Sequence, residues 1–378
     1  MQQKRTKNLG LVKWDDDTDE LHRSQFTENF ETIDDQVSSL YGSANLWFKS
    51  STVTIGNPGS SDAYTNTDYF TKVFTRFAVQ GLGAVVSTLH NLDSETGSTF
   101  QHHTAQQIQS ILNIAKVKGV KLWMLKPHIV LNWSDGFSRG RYDPVDVPLH
   151  FANWTQELLF VAQLCRTNNI PWLCIECEHY KLTSENLYYS YWLQLVNTIR
   201  AAYPELKLTV AMMGSELRDT TLKLQADRAA RSVVHLVDAI GANIYATYFY
   251  EPYAIVNGKP TVTVEDVARG FRRTWSGWSP YDLLVDMNQL TGKPILITEF
   301  GCMPKDDGLT QLFATGATNY DVQALLFQAY FETVVTIPFI KGFAIWHAHS
   351  PFQYFDYEGQ TIYPGEKVII DYVSSGRI

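Results

Sequence analysis

The stretch KPILITEFG, residues 293–301, runs an apolar segment straight into a carboxylate, Glu299. Ile295, Leu296 and Ile297 read as a strand buried on both faces. A charge at the end of such a strand needs partners, because burying it unpaired is costly or shifts its pKa. The fold follows from asking how many such strands there are and what lies between them.

Seven further stretches read the same way: STVTIGN, LGAVVSTLH, VKLWMLKPHIV, IPWLCIECEH, LKLTVAMMG, VDAIGANIYAT and IKGFAIWHA. Helical patterns fall between them, near 66–80, 104–118, 150–168, 184–202, 220–235, 264–291 and 318–336, and Ser, Thr, Asn or Asp often precede them as N-caps. Eight strands alternating with helices predict parallel βαβ units. The expected fold is α/β, a (β/α)8 TIM barrel with an N-terminal helical extension. An open doubly wound sheet is the competitor, but no Gly-rich fingerprint follows the first strand.

Residues 1–45 differ in character. They are acidic, and Phe26, Phe30, Ile33, Val37 and Leu40 recur at three- and four-residue steps up to Gly42. That predicts an amphipathic helix. The expected division is a docking or oligomerisation segment over 1–45 and the barrel over 46–378, the alternative being a terminal helix packed on its own domain.

The chain has 378 residues, 45% of them hydrophobic, enough for a large core. Its net charge of −8 argues against a nucleic-acid partner, which needs a basic face. The 20 Tyr, 20 Phe and 10 Trp suit a cleft that stacks on sugars. Cys174 and Cys177 form a C-x-x-C inside a strand, where alternation sends them to opposite faces; with Cys165 and Cys302 they are expected as buried thiols. The N-terminus lacks the apolar region of a signal peptide, and no run is long enough to span a membrane, so a soluble protein made in a cytoplasm is expected.

Active sites of such barrels lie at the C-terminal strand ends. The polar and aromatic residues there are His90, Lys126, His128, Glu176, Glu178, Asn243, Tyr245, Glu299, Trp346 and His347. Glu178 ends the fourth strand and Glu299 the seventh. Alternation groups Cys174 and Glu176 with Glu178, and Ile295 and Ile297 with Glu299. Glu176 suggests a buried ion pair, for example with Lys126. Two carboxyls across one cleft divide the work of glycoside cleavage: one protonates the leaving oxygen, the other attacks or activates water. No His/Asp/Glu cluster has the sequence spacing of a metal site, so neither metal nor other cofactor is expected.

These segments resemble a family. KPILITEFG resembles the seventh strand of clan A glycoside hydrolases, and WLCIECEHYKL their fourth. LWMLKPHIVL is similar to the third strand of glycoside hydrolase family 113, the β-mannanase-like group. IGANIYATYF resembles its sixth strand and GFAIWHAHS its eighth. The resemblance implies Glu299 as nucleophile and Glu178 as acid/base of a retaining hydrolase. It implies sugar contacts or carboxylate-orienting roles for His128, Tyr245 and Trp346, and Glu299 is expected to stay ionised through a hydrogen bond from Tyr245. Where the family reads Gly-Thr-Glu, this chain has Glu176-Cys177-Glu178. The segment LGLVKWDDDTDELHRSQFTENFETIDDQV resembles the opening segment of phage tail and baseplate proteins of Gram-positive hosts. That implies a virion enzyme acting on host surface polysaccharide, with tail or baseplate proteins as partners and a trimer as the usual state of such appendages. The other reading is a barrel that binds sugar without cleaving it.

Overall fold

The computed structural model describes residues 46–56, 66–184, 186–245, 252–273 and 278–378, and two two-residue strands, Lys4–Arg5 and Val12–Lys13, before them. The expected N-terminal helix over Phe26–Leu40 lies outside the described residues. The chain divides into two compact units, Met1–Asn45 and Leu46–Ile378.

The second unit is a closed parallel barrel. Its strands, numbered in barrel order, are β1 Phe48–Ile55, β2 Gly83–Leu92, β3 Leu122–Leu131, β4 Trp172–Cys177, β5 Lys207–Met213, β6 Ile240–Ile244, β7 Ile295–Phe300 and β8 Ile340–Ile345. Each pairs in parallel with its neighbours, and β1 pairs with both β2 and β8, which closes the ring. All eight expected strands are present.

The surrounding helices are α1 Thr67–Gln80, α2 Ala105–Val117, α3 Val147–Asn168, α4 Tyr189–Ala202, α5 Gly214–Ala226, α6 Val264–Gly270, α7 Pro280–Thr291, α8 Tyr320–Thr333 and α9 Pro364–Ser374. Side chains of Asn66, Thr104, Asp146, Thr263, Ser279 and Asn319 accept first-turn amides, as N-caps do. The helix expected near 220–235 starts earlier, at Gly214, because Glu216 reaches back to accept the Met213 amide and opens the helix directly after β5. The stretch expected as one helix over 264–291 contains two, α6 and α7.

Two apolar clusters account for the core. The larger lies between the outer strand faces and the helices. The smaller draws on strand ends and interior positions, among them Phe48, Val85, Met124, Trp172, Cys174, Cys177, Ala211, Leu296 and Ala344, and fills the barrel. All four cysteines are buried free thiols.

The smaller cluster corrects two expectations from strand alternation. Cys174 and Cys177 both face the interior, because the β4–β5 register shifts between them. On β7, Ile295 and Ile297 face the helices and Leu296 the interior, and the pairing with β6 shifts between Ile297 and Glu299. A bulge of this kind inserts one residue and re-aims the next. It turns Glu299 inward while Phe300 stacks outward on Tyr330, 3.7 Å between ring centroids.

Candidate active site

Glu178 follows the last residue of β4 at φ 62°. That left-handed region costs a residue other than glycine about 1–2 kcal/mol. The surroundings hold it there. The Glu178 amide donates to Ala211 O at 2.9 Å. Glu176 accepts the Ala211 amide (3.1 Å) on one oxygen and the His179 amide (3.0 Å) on the other. Glu176 therefore clamps the backbone on both sides of Glu178 to β5. It makes no ion pair with Lys126, contrary to expectation.

The Glu178 carboxylate points into the barrel mouth. Oε1 accepts from Asn243 Nδ2 at 2.9 Å, and Oε2 from the Arg139 guanidinium at 3.2 Å. The Thr298 hydroxyl donates to Asn243 Oδ1 at 2.8 Å, which fixes the amide with its donor toward Glu178. Arg139 also bonds Asp135 at 2.7 Å, and Asp135 accepts from His128 Nδ1 at 3.0 Å. Burial drops the His128 pKa to about 4, so its ring is neutral at pH 7 and Nδ1 carries the hydrogen.

Glu299 is 3% exposed and accepts a hydrogen bond from the fully buried Lys126 ammonium. The charged partner of Glu299 thus comes from β3. Burial pushes the Glu299 carboxyl above its ordinary range, and the Lys126 charge pulls against that. Cys177 Sγ lies 3.9 Å from Glu299 Oε1 and the same distance from Asn243 Nδ2, so a short chain of contacts joins the two glutamates beneath the cleft.

Trp346 follows β8, its ring parallel to His128 (5.7 Å, 16°) with Lys126 Nζ 5.0 Å from its centroid. Gly301 makes room for it: a Cβ there would stand 2.0 Å from the Trp346 carbonyl oxygen. His347 stacks on Trp346 at 4.2 Å and bonds Thr54 Oγ1 at 2.9 Å.

Above these groups opens a cavity of about 690 Å³, lined by Glu178, Glu299, Asp135, Arg139, Tyr245, Trp346 and His347, and by Trp133, Phe137, Phe313 and Phe352. That is the size and mixed character of a ligand cleft. Lys126, His128 and Asn243 form the layer beneath the carboxylates. Glu176 sits behind Glu178, out of the cleft. His90 is turned away altogether; it bonds Glu157 on α3 at 2.7 Å and packs on Trp154. Asp135 and Arg139 were not among the expected site residues. Their signal is the polar segment NWSDGFSRGR, residues 132–141, directly after β3.

Two carboxylates on facing strand ends, each held by fixed donors at the wall of an aromatic cleft, can carry out acid–base and nucleophilic chemistry on a glycosidic bond. Solved structures similar to this chain agree with it in fold. A β-1,4-mannanase of family 113 superposes with TM-score 0.62 at 16% identity, covering 87% of this chain and 99% of its own. A family 113 β-mannanase from Alicyclobacillus acidocaldarius gives 0.62 at 16%, covering 89% and 100%. A β-glucuronidase from Ruminococcus gnavus gives 0.54 at 11%, covering 86% of this chain and 50% of its own. No curated protein matches the sequence. The family profile of Glycoside Hydrolase Family 113 matches residues 84–361, so the chain belongs to that family and is a glycoside hydrolase.

Proposed function

We propose that the protein is a retaining glycosidase of a phage tail that cuts a β-linked polysaccharide of the host surface. The observation that carries the chemistry is the pairing of Glu178 and Glu299 across one cleft. Glu299, preset against Lys126, attacks the anomeric carbon and forms a glycosyl ester, while Glu178 hands its proton to the leaving oxygen. Water then enters, Glu178 takes its proton, and the ester is hydrolysed with net retention. Trp346 floors the sugar that is attacked. Trp133, Phe137 and Phe313 supply flat apolar faces along the cleft. Preset donors spare the reorganisation that water would require. The β-linkage is suggested by the β-mannanases of the same fold.

The virion assignment rests on the tail-like segment at residues 9–37. Immunogold labelling of purified virions checks it; label absent from the tail would reject it.

The enzymatic reading is tested with purified surface polysaccharide and β-mannan. Wild-type protein should release reducing ends, and NMR should find the retained anomer before mutarotation. An inverted product removes Glu299 from the nucleophile role. A second reading, sugar binding without turnover, is favoured by the Arg139 bond to Glu178 Oε2, which must open before that oxygen can serve the leaving group. Saturable binding with no reducing ends from any bound glycan would establish it.

A further inference from the structure

Outside the cleft, three ligating side chains from three different elements meet at one point. His90 on β2 faces His102 across a short antiparallel strand, Phe100–His102, and Glu157 reaches them from α3. His90 Nδ1 lies 2.7 Å and His102 Nδ1 2.5 Å from the same oxygen, Glu157 Oε2, and all three ligand atoms fall within 4.8 Å of one another. Both rings are fixed. His90 bonds Thr88 Oγ1 through Nε2 at 3.1 Å and packs edge-on to Trp154. His102 stacks on Phe160 at 4.3 Å.

We propose that His90, His102 and Glu157 form a structural site for a divalent transition metal, zinc by preference. Two imidazoles and one carboxylate are a zinc donor set, with a fourth position left for water. Tetrahedral bonds of about 2.0–2.1 Å hold ligand atoms roughly 3.3 Å apart, so each contact opens by less than about 1 Å as the ion replaces the bridging hydrogens. Thr88 is the outer partner of the kind that ligating histidines use to fix tautomer and ring orientation. His102 is 30% exposed at its side chain, which gives the ion a way in. The metal would pin the Phe100–His102 strand to α3. The preceding loop is already tied to the segment that follows the cleft-lining residues 135–139, through Tyr142 donating to Gly97 O (2.6 Å) and the Val145 amide to Thr96 O (3.1 Å).

A second trio, His128, Cys177 and Glu299, is equally close. There the Lys126 ammonium already bonds the Glu299 oxygen and would have to leave. The first site has no such competitor among the described residues.

The test uses full-length protein stripped with a chelator and titrated with zinc chloride by calorimetry, with melting curves in parallel. The expected result is one equivalent bound and a higher Tm. His102→Ala should abolish that equivalent. Thr88→Val should weaken it by about 10–100-fold. Cys177→Ser should leave it in place, and His102→Gln serves if the alanine variant does not fold. Absence of binding, or binding that survives both His102 variants or is lost in Cys177→Ser, overturns the assignment.

Discussion

Glu299 and Lys126 are each other's main compensation, which makes the two glutamates of the cleft unequal in what they do for stability. Removing one member of a buried pair costs about 3–5 kcal/mol, because the other charge is stranded. We expect Glu299→Gln and Glu178→Gln each to remove most turnover. Glu299→Gln should in addition lower unfolding stability by about that amount, and Glu178→Gln by much less, since Arg139 keeps Asp135. Urea melts beside activity assays check this; equal melts would show that Lys126 is compensated elsewhere. Glu176 gives a pH signature. Burial lifts it from 4.5 to about 7. A carboxyl raised in the folded state binds more protons there than in the unfolded state, so its contribution to stability is lost as pH rises from about 4.5 to about 7. Unfolding free energies at pH 5 and pH 7 should fall less steeply in Glu176→Gln than in wild type, by an amount on the order of a few kcal/mol. Identical slopes would mean that Glu176 does not titrate in this window. Both glutamates of the cleft were legible in the sequence because they end apolar strands. Lys126 and Asn243 were named as well, but not which glutamate each would meet, and Arg139 was not named. Which cation reaches Glu299 depends on the inward turn of β3, and nothing local to Lys126 announces it.

At the scale of elements, the period-2 rule located the strands and failed at their ends. Eight strands were legible from apolar runs and flanking caps. The bulges on β4 and β7 were not, because a bulge is set by the neighbour strand's register as much as by its own residues. The bulge on β7 turns Glu299 into the mouth, and the one on β4 turns Cys177 inward beneath Glu178. The loop with Asp135 and Arg139 was missed for a related reason, since attention to strand ends passes over the segment just beyond them. Gly301 shows how tightly β7 and β8 are fitted here. Gly301→Ala would drive a Cβ into the Trp346 carbonyl, so we expect a shifted tryptophan fluorescence maximum and a loss of turnover with little change in circular dichroism. Normal activity in that variant would show that the strand ends yield.

For the whole molecule, the barrel contains its own closure. Trp47 stacks on Trp172 at 5.7 Å and donates its amide to Lys341 O, and α9 is bound to α1 by the Arg76–Glu366 pair (2.6 Å). A chain beginning at Leu46 should therefore give a cooperative melt, while losing whatever assembly the first 45 residues direct; light scattering of both forms measures that. A truncation that fails to fold would show that the N-terminal unit completes the core. The cleft also has an electrical consequence. Among the described residues, Lys126 is engaged by Glu299 and Arg139 by Asp135 and Glu178, and the neutral His128 adds nothing. No cation is left over to greet an anionic polymer. Glycerol phosphate and uronate chains should be turned away and uncharged glycans admitted, and protonated sugar mimics should bind more tightly than their neutral counterparts, with an advantage that shrinks as salt is added.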